Sequence, residues 1–383
     1  MRIIIAPDSL KESLGAPEAA RAIARGVRRA CPEADCVLVP VADGGEGTTE
    51  AIVDATDGSL RAAVVADPLG RPVEACWGLC GDGVTAVVEM ARASGLELLA
   101  PDERDPTRTS TWGTGELIRC ALDGGAESLI VGIGGSATVD GGTGMAAALG
   151  VRFLDADGDV IERPCGGRLA DVAAIDATGA DERLWNVEVV VASDVTNPLL
   201  GEQGAARVYG PQKGAGPEQV VQLEAGLANL ADVIRSDLGR EVAELPGAGA
   251  AGGLGAGLVA FLDAELRSGA ETVMEAVGLR DRMAGSDLVI TAEGRVDGQS
   301  AFGKATGCVA KAAHEAGIPA IVLAGALGPG FERLYEQGVC AVLPIVDGPV
   351  TLADALERAA DCLERTAESL IRVWNAAKGG RDA

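Results

Sequence analysis

Glycine and carboxylate residues arrive together in four separated places along this chain. They are Ala42-Asp43-Gly44-Gly45-Glu46-Gly47; Gly132-Ile133-Gly134-Gly135-Ser136, running on to Val139-Asp140-Gly141-Gly142-Thr143-Gly144; Glu244-Leu245-Pro246-Gly247-Ala248-Gly249-Ala250-Ala251-Gly252-Gly253; and Thr291-Ala292-Glu293-Gly294-Arg295-Val296-Asp297-Gly298-Gln299. Three of the four follow an apolar run that reads as a buried strand. Backbone amides in a glycine loop can approach a phosphate closely, and nearby carboxylates can hold a hard cation such as Mg²⁺. Phosphate chemistry is therefore the first expectation.

At 383 residues the chain exceeds one ordinary core, so two domains are expected. Aromatic residues are only 3%, which leaves Val, Leu, Ile and Ala to build the interior. The net charge of −25 disfavours nucleic acid, whose backbone needs a cationic face, and an anionic membrane surface. No apolar stretch reaches membrane-spanning length. The nine cysteines contain no C-x-x-C pair, and with no segment that reads as a signal peptide they are expected as reduced thiols in a cytoplasm. The one histidine, His314, lies in a helical-looking stretch and reads as a solvated surface residue, which sets aside a histidine triad or a zinc site.

Residues 2–6 and 35–40 read as short strands flanking a helix at 16–31, a parallel α/β rhythm. Residues 60–90 change to short alternating pieces separated by Pro68, Gly70, Pro72, Gly81 and Gly83, as in antiparallel hairpins. Further strands are expected at 128–133 and 187–192, and helices at 111–122, 218–238 and 258–266. Alternation resumes from 287, ending in a long helix over 352–376. The expected fold class is α/β with two domains: a doubly wound parallel-sheet domain from both chain ends (1–65 plus 285–383), and a mixed α/β domain inserted in the middle (66–284).

Read as a set, these segments resemble the class I glycerate kinases of bacteria. Ile5-Ala6-Pro7-Asp8-Ser9-Leu10-Lys11-Glu12-Ser13-Leu14 is similar to that family's opening motif, and Pro40-Val41-Ala42-Asp43-Gly44-Gly45-Glu46-Gly47-Thr48 to its second. Thr111–Glu116, Gly132–Thr138, Ser193-Asp194-Val195-Thr196-Asn197-Pro198-Leu199, Gly210-Pro211-Gln212-Lys213-Gly214, the 247–257 glycine run, and Glu293–Asp297 with Gly303-Lys304 follow in family order. Ala292 stands where a glycine is expected and Gly15 where a serine is usual; neither removes a reactive side chain. The resemblance implies ATP-dependent phosphorylation of D-glycerate, most often at the 2-hydroxyl. It also implies Mg²⁺, a cytoplasmic setting and an active site in the cleft of a two-domain α/β fold.

Phosphoryl transfer is mainly positioning and charge neutralisation, with a carboxylate to take the hydroxyl proton and a cation to meet the substrate carboxylate. Gly134, Gly135 and Ser136 read as a phosphate cradle after a strand, although Gly132-x-Gly134-Gly135-Ser136 is neither a Walker loop nor G-x-G-x-x-G. Asp43, Gly44, Gly45 and Lys213 join them as nucleotide contacts. Asp8, Lys11 and Asp194 are the candidate catalytic residues, with Asp194 read as base or metal ligand and Lys11 as a contact to a phosphate or the substrate carboxylate. Ser9, Arg295, Asp297 and Lys304 are candidate substrate contacts, and Asp43, Asp194 and Glu293 candidate Mg²⁺ ligands. Arg108 reads first as a surface ion-pair residue and only second as a carboxylate clamp. The role of the 247–257 run stays open between hinge, anion nest and close-packed helix start.

A nicotinamide-dependent dehydrogenase is poorly matched, since the first strand leads into Pro7-Asp8-Ser9-Leu10-Lys11 with no glycine. Transfer to the 3-hydroxyl, a related hydroxy acid, and a non-catalytic nucleotide-binding protein remain as alternatives. The expected partners are D-glycerate and ATP, with no nucleic acid and no membrane, in a monomer or homodimer.

Overall fold

A computed structural model describes residues 1–301 and 304–379, with side chains to residue 377. The chain divides into two compact units. The first takes Met1–Asp43, Glu50–Asp57 and Gly269–Ala383, and the second Gly44–Thr49 and Gly58–Ser268.

The first unit is built on five strands in the order Val339–Pro344, Ala320–Leu327, Leu288–Val296, Arg2–Ile5, Asp35–Leu38, all neighbours parallel. Counted along the chain this is the doubly wound order 2-1-3-4-5, reversing between Arg2–Ile5 and Leu288–Val296. Ile3 and Ile5 bury one face against helices Ala16–Ala30 and Ala359–Gly379. Val296, Val322 and Val342 bury the other with Ala310 of helix Ala305–Glu315. Near-continuous apolar runs are what a parallel strand covered on both faces requires. The final helix expected over 352–376 is two, Leu352–Glu357 and Ala359–Gly379, because Arg358 leaves helical geometry at φ −96°, ψ 8°. His314 is exposed, as expected.

The second unit carries six strands in the order Glu265–Arg267, Glu188–Ala192, Ser128–Gly132, Thr85–Glu89, Pro72–Leu79, Ser59–Ala66. The first four run parallel, and the last two add antiparallel. The antiparallel reading of 60–90 thus holds: Ser59–Ala66, Pro72–Leu79 and Thr85–Glu89 pair antiparallel in turn, and Thr85–Glu89 pairs parallel with Ser128–Gly132 on its other edge. Its core is aliphatic, with Phe153 and Phe261 meeting edge to face at 5.6 Å.

The helix expected at 258–266 instead spans Ala250–Leu262, and Glu265–Arg267 is a strand. Its first turn is broken by left-handed Ala251, Gly252 and Gly253 (φ 54°, 70°, 90°). A Cβ on Gly252 would lie 1.9 Å from the Thr138 carbonyl, and Gly141 N–H donates to Gly252 O at 3.1 Å. The glycine run is therefore a close-packed helix start that braces residues 138–142.

Candidate active site

The candidate side chains gather at strand carboxyl ends in each unit. In the first, they collect where the strand order reverses, the place where open α/β sheets collect ligands. Asp8 follows Arg2–Ile5, and its N–H donates to Ala292 O at 2.8 Å, which fixes it beside Leu288–Val296. It is 8% exposed. Burial, then the Asp43 carboxylate, push its pKa from 3.8 up to about 7; Glu293 adds to this, while the Ser9 N–H at 2.6 Å and Lys11 oppose it. Ser9 thus meets Asp8 through its backbone, and Lys11 is exposed on the same side.

Glu293 is 8% exposed, and its Oε1 accepts from Lys304 Nζ at 3.3 Å. Burial raises its pKa against the pull of Ser300, Lys304 and Thr306. Its Oε2 is buried without a hydrogen bond of good geometry. Arg295 and Asp297 pair with each other at 3.6 Å, and Asp297 Oδ1 accepts from Gln299 N–H at 2.9 Å, so Asp297 also shapes its own turn. Gly303 lies outside the described residues.

In the second unit, Gly134, Gly135, Ser136 and Lys213 line one cavity of about 490 Å³, within the usual range for small-molecule pockets. Lys213 is 2% exposed; its Nζ donates to Ser136 Oγ at 2.6 Å and Thr138 O at 2.7 Å. Burial lowers its pKa from 10.5 to about 7, partly offset by Asp140. Gly44 and Gly45 back this loop: a Cβ on Gly134 would lie 2.9 Å from Gly45 Cα. Ile133, Leu96 and Leu98 give the cavity an apolar side suited to a flat base.

Asp194 follows Glu188–Ala192 in this second unit, where its Oδ1 accepts from Ser268 Oγ at 2.9 Å; its neighbour Val195 reaches the cavity wall. Among the described residues no three His, Cys, Asp or Glu side chains form a group able to hold a metal ion. Mg²⁺ at a nucleotide commonly takes one or two carboxylates and the phosphates themselves, and the unsatisfied buried oxygen of Glu293 fits that role.

Sequence reasoning missed Asp140 and Glu89. Asp140 is fully buried, and its carboxylate accepts from Thr111 N (2.7 Å), Thr111 Oγ1 (2.8 Å), Gly142 N (3.2 Å) and Gly144 N (3.3 Å). It holds the far end of the glycine loop, and its place in the Val139–Gly144 motif was the available signal. Glu89 ends a strand and carried no motif signal.

The family model described as the glycerate kinase family matches residues 3–375. A protein of Halalkalibacterium halodurans named glycerate kinase is 51% identical over 93% of each chain. The Escherichia coli protein named glycerate 2-kinase is 50% identical over 94% of each. The crystal structure of a candidate glycerate kinase 2 from Salmonella typhimurium LT2 superposes with a TM-score of 0.91 at 48% identity, covering 99% of both chains. With glycine loops, a buried lysine and strand-end carboxylates already in place, these likenesses settle the family: the chain belongs to the glycerate kinase family.

Proposed function

We propose that the protein transfers the γ-phosphoryl group of ATP to the 2-hydroxyl of D-glycerate, giving 2-phosphoglycerate and ADP. The observation that carries this reading is Asp8, a carboxylate at the sheet's reversal point whose pKa of about 7 suits a base working near neutrality. The 2-hydroxyl assignment draws on the Escherichia coli relative's name, glycerate 2-kinase.

Asp8 accepts the hydroxyl proton as the new O–P bond forms, and the bond to the ADP oxygen breaks with its electron pair leaving on ADP. Lys11, Lys304, Arg295 and the Ser9 hydroxyl meet the glycerate carboxylate and its remaining hydroxyl, with Asp297 holding Arg295 in place. Gly134, Gly135, Ser136 and Lys213 receive the polyphosphate, with Gly44 and Gly45 behind them. Asp194 is kept as a second carboxylate of the reaction, turned by Ser268. Glu293 and Asp43 would hold Mg²⁺, which would supply neutralisation of the charge developing on the phosphoryl group. Among the described residues no helix is long and apolar enough to cross a membrane, and we place the reaction in the cytoplasm.

The test is a coupled assay with Mg²⁺-ATP and D-glycerate. One coupling set starts at enolase; the other adds phosphoglycerate mutase before it. Signal without the mutase supports 2-phosphoglycerate. Signal only with it moves the phosphate to O3, and no ADP release with any hydroxy acid removes the kinase reading.

A further inference from the structure

The nucleotide cavity has a cation on its wall that no motif announced. Arg92 belongs to the short helix Ala91–Ser94, directly after strand Thr85–Glu89. Its segment is stitched to the glycine loop by main-chain hydrogen bonds: Met90 N to Gly132 O, Leu96 N to Gly135 O and Ala137 N to Ser94 O, each 2.9 Å. A side chain on such a segment keeps its register with Gly134 and Gly135.

Beneath Arg92 lies Glu89, 2% exposed. Its Oε2 faces Arg92 Nε at 3.4 Å, and its Oε1 accepts from Thr49 N–H at 2.6 Å. The carboxylate therefore ties together two parts of the wall, Arg92 and the segment carrying Glu46. That wall is acidic: Glu46, Glu74, Glu89 and Glu97 line it, against the two basic residues Arg92 and Lys213. A polyphosphate entering it meets repulsion unless both cations are aimed inward. Lys213 is a point charge already bonded to Ser136 and Thr138, whereas a guanidinium can grip two phosphate oxygens at once.

We propose that Arg92 contacts the phosphates of the bound nucleotide and that Glu89 is the positioning residue that aims it. The proposal rests on the reading of this cavity as the nucleotide site. The full-length protein and its Arg92→Gln, Arg92→Lys, Glu89→Gln and double Arg92→Gln/Glu89→Gln variants would be titrated by calorimetry with adenosine, ADP and a non-hydrolysable ATP analogue. Arg92→Gln should weaken ADP and the analogue by roughly 10- to 100-fold, the loss of a charged hydrogen bond, while adenosine binds as before. Arg92→Lys should recover part of the loss. Glu89→Gln should act in the same direction more weakly, and the double variant should be no worse than Arg92→Gln alone.

Wild-type affinity for the analogue in Arg92→Gln overturns the proposal while leaving the cavity reading intact. Equal loss of adenosine and ADP also overturns it, since that marks a scaffold role. A wild-type protein that binds none of the three overturns the cavity reading and the proposal together.

Discussion

Lys213 Nζ lies 2.6 Å from Ser136 Oγ across 77 residues of sequence, with only 2% of the lysine exposed. The contact joins the Pro211–Lys213 turn to the glycine loop and places a buried amine against it, on the wall of the cavity. The amine has two neutral acceptors here, and Asp140 is the acid that draws its pKa back up.

The first prediction concerns that amine. An ordinary lysine titrates near 10.5, whereas burial brings Lys213 to about 7. Between these values the unfolded chain holds a proton that the folded chain has released, so stability rises with pH from about 7 to 10 and is lowest below 7. Lys213→Met should abolish this slope. The wild-type melting temperature should gain on that of the variant between pH 6.5 and 9.5; parallel curves would refute the assignment. The same variant should lose roughly 10- to 100-fold in kcat/KM for ATP.

Asp8 supplies the second prediction. Asp8→Asn should lower kcat by about 10²- to 10⁴-fold, the usual contribution of a general base. In the metal-free protein, carbon NMR of the Asp8 carboxyl should show a titration midpoint near 7. Asp43→Asn removes a charge that raises that pKa and should move the midpoint down, and Lys11→Met should move it up. Stability follows the opposite course. The folded state binds a proton that the unfolded chain has lost between about pH 4 and 7, so Asp8 stabilises at low pH and that contribution fades as pH approaches 7. A midpoint unmoved by both neighbour substitutions would contradict this account of the Asp8 pKa.

Much of this was legible in the sequence, for physical reasons. Parallel strands buried on both faces must be apolar, so Arg2–Ile5, Ser128–Gly132 and Glu188–Ala192 stood out, and their following loops held the polar residues. Gly134, Gly135 and Ser136 were found on that logic, and Lys213, from the separate 210–214 motif, shares their cavity. Other features depend on tertiary contact. Nothing local distinguishes the Gly252 that fits against Thr138 O from a flexible linker glycine, and the helix around it was misplaced for that reason. Glu89 looks like any strand-end acid until the fold brings Thr49 and Arg92 to it. The pKa of Asp8 likewise arises from burial in the fold, then from Asp43 and Glu293, which are distant in sequence.

A glycine comparison tests the bracing role of the 247–257 run. Gly252 and Gly47 both have positive φ, 70° and 86°. A Cβ on Gly252 meets Thr138 O at 1.9 Å, whereas one on Gly47 meets nothing within 4 Å. Gly47→Ala should therefore cost only backbone strain, about 1 kcal/mol, while Gly252→Ala adds a clash with rigid backbone and should cost more than about 3 kcal/mol or prevent folding. Urea unfolding midpoints would decide it, and equal shifts would contradict the bracing role.

The last prediction addresses the cation. Glu293 offers a buried oxygen with no hydrogen bond of good geometry, and its other oxygen faces Lys304. If that oxygen serves Mg²⁺, chelation by EDTA should stop turnover and excess Mg²⁺ restore it. Glu293→Gln keeps the shape but weakens the ligand, so the Mg²⁺ concentration for half-maximal rate should rise by roughly tenfold or more. The cavity lined by Gly134, Gly135 and Lys213 does not include Glu293, so binding of a non-hydrolysable ATP analogue without metal should be unchanged in the variant. Lys304→Met separates the two roles open to Glu293. If the carboxylate only neutralises Lys304, the two single variants should fail alike and share an unaltered Mg²⁺ dependence. If it holds the ion, Lys304→Met should leave the Mg²⁺ requirement near wild type and act instead on the KM for glycerate. A Mg²⁺ requirement unmoved in Glu293→Gln would assign the ion to other carboxylates.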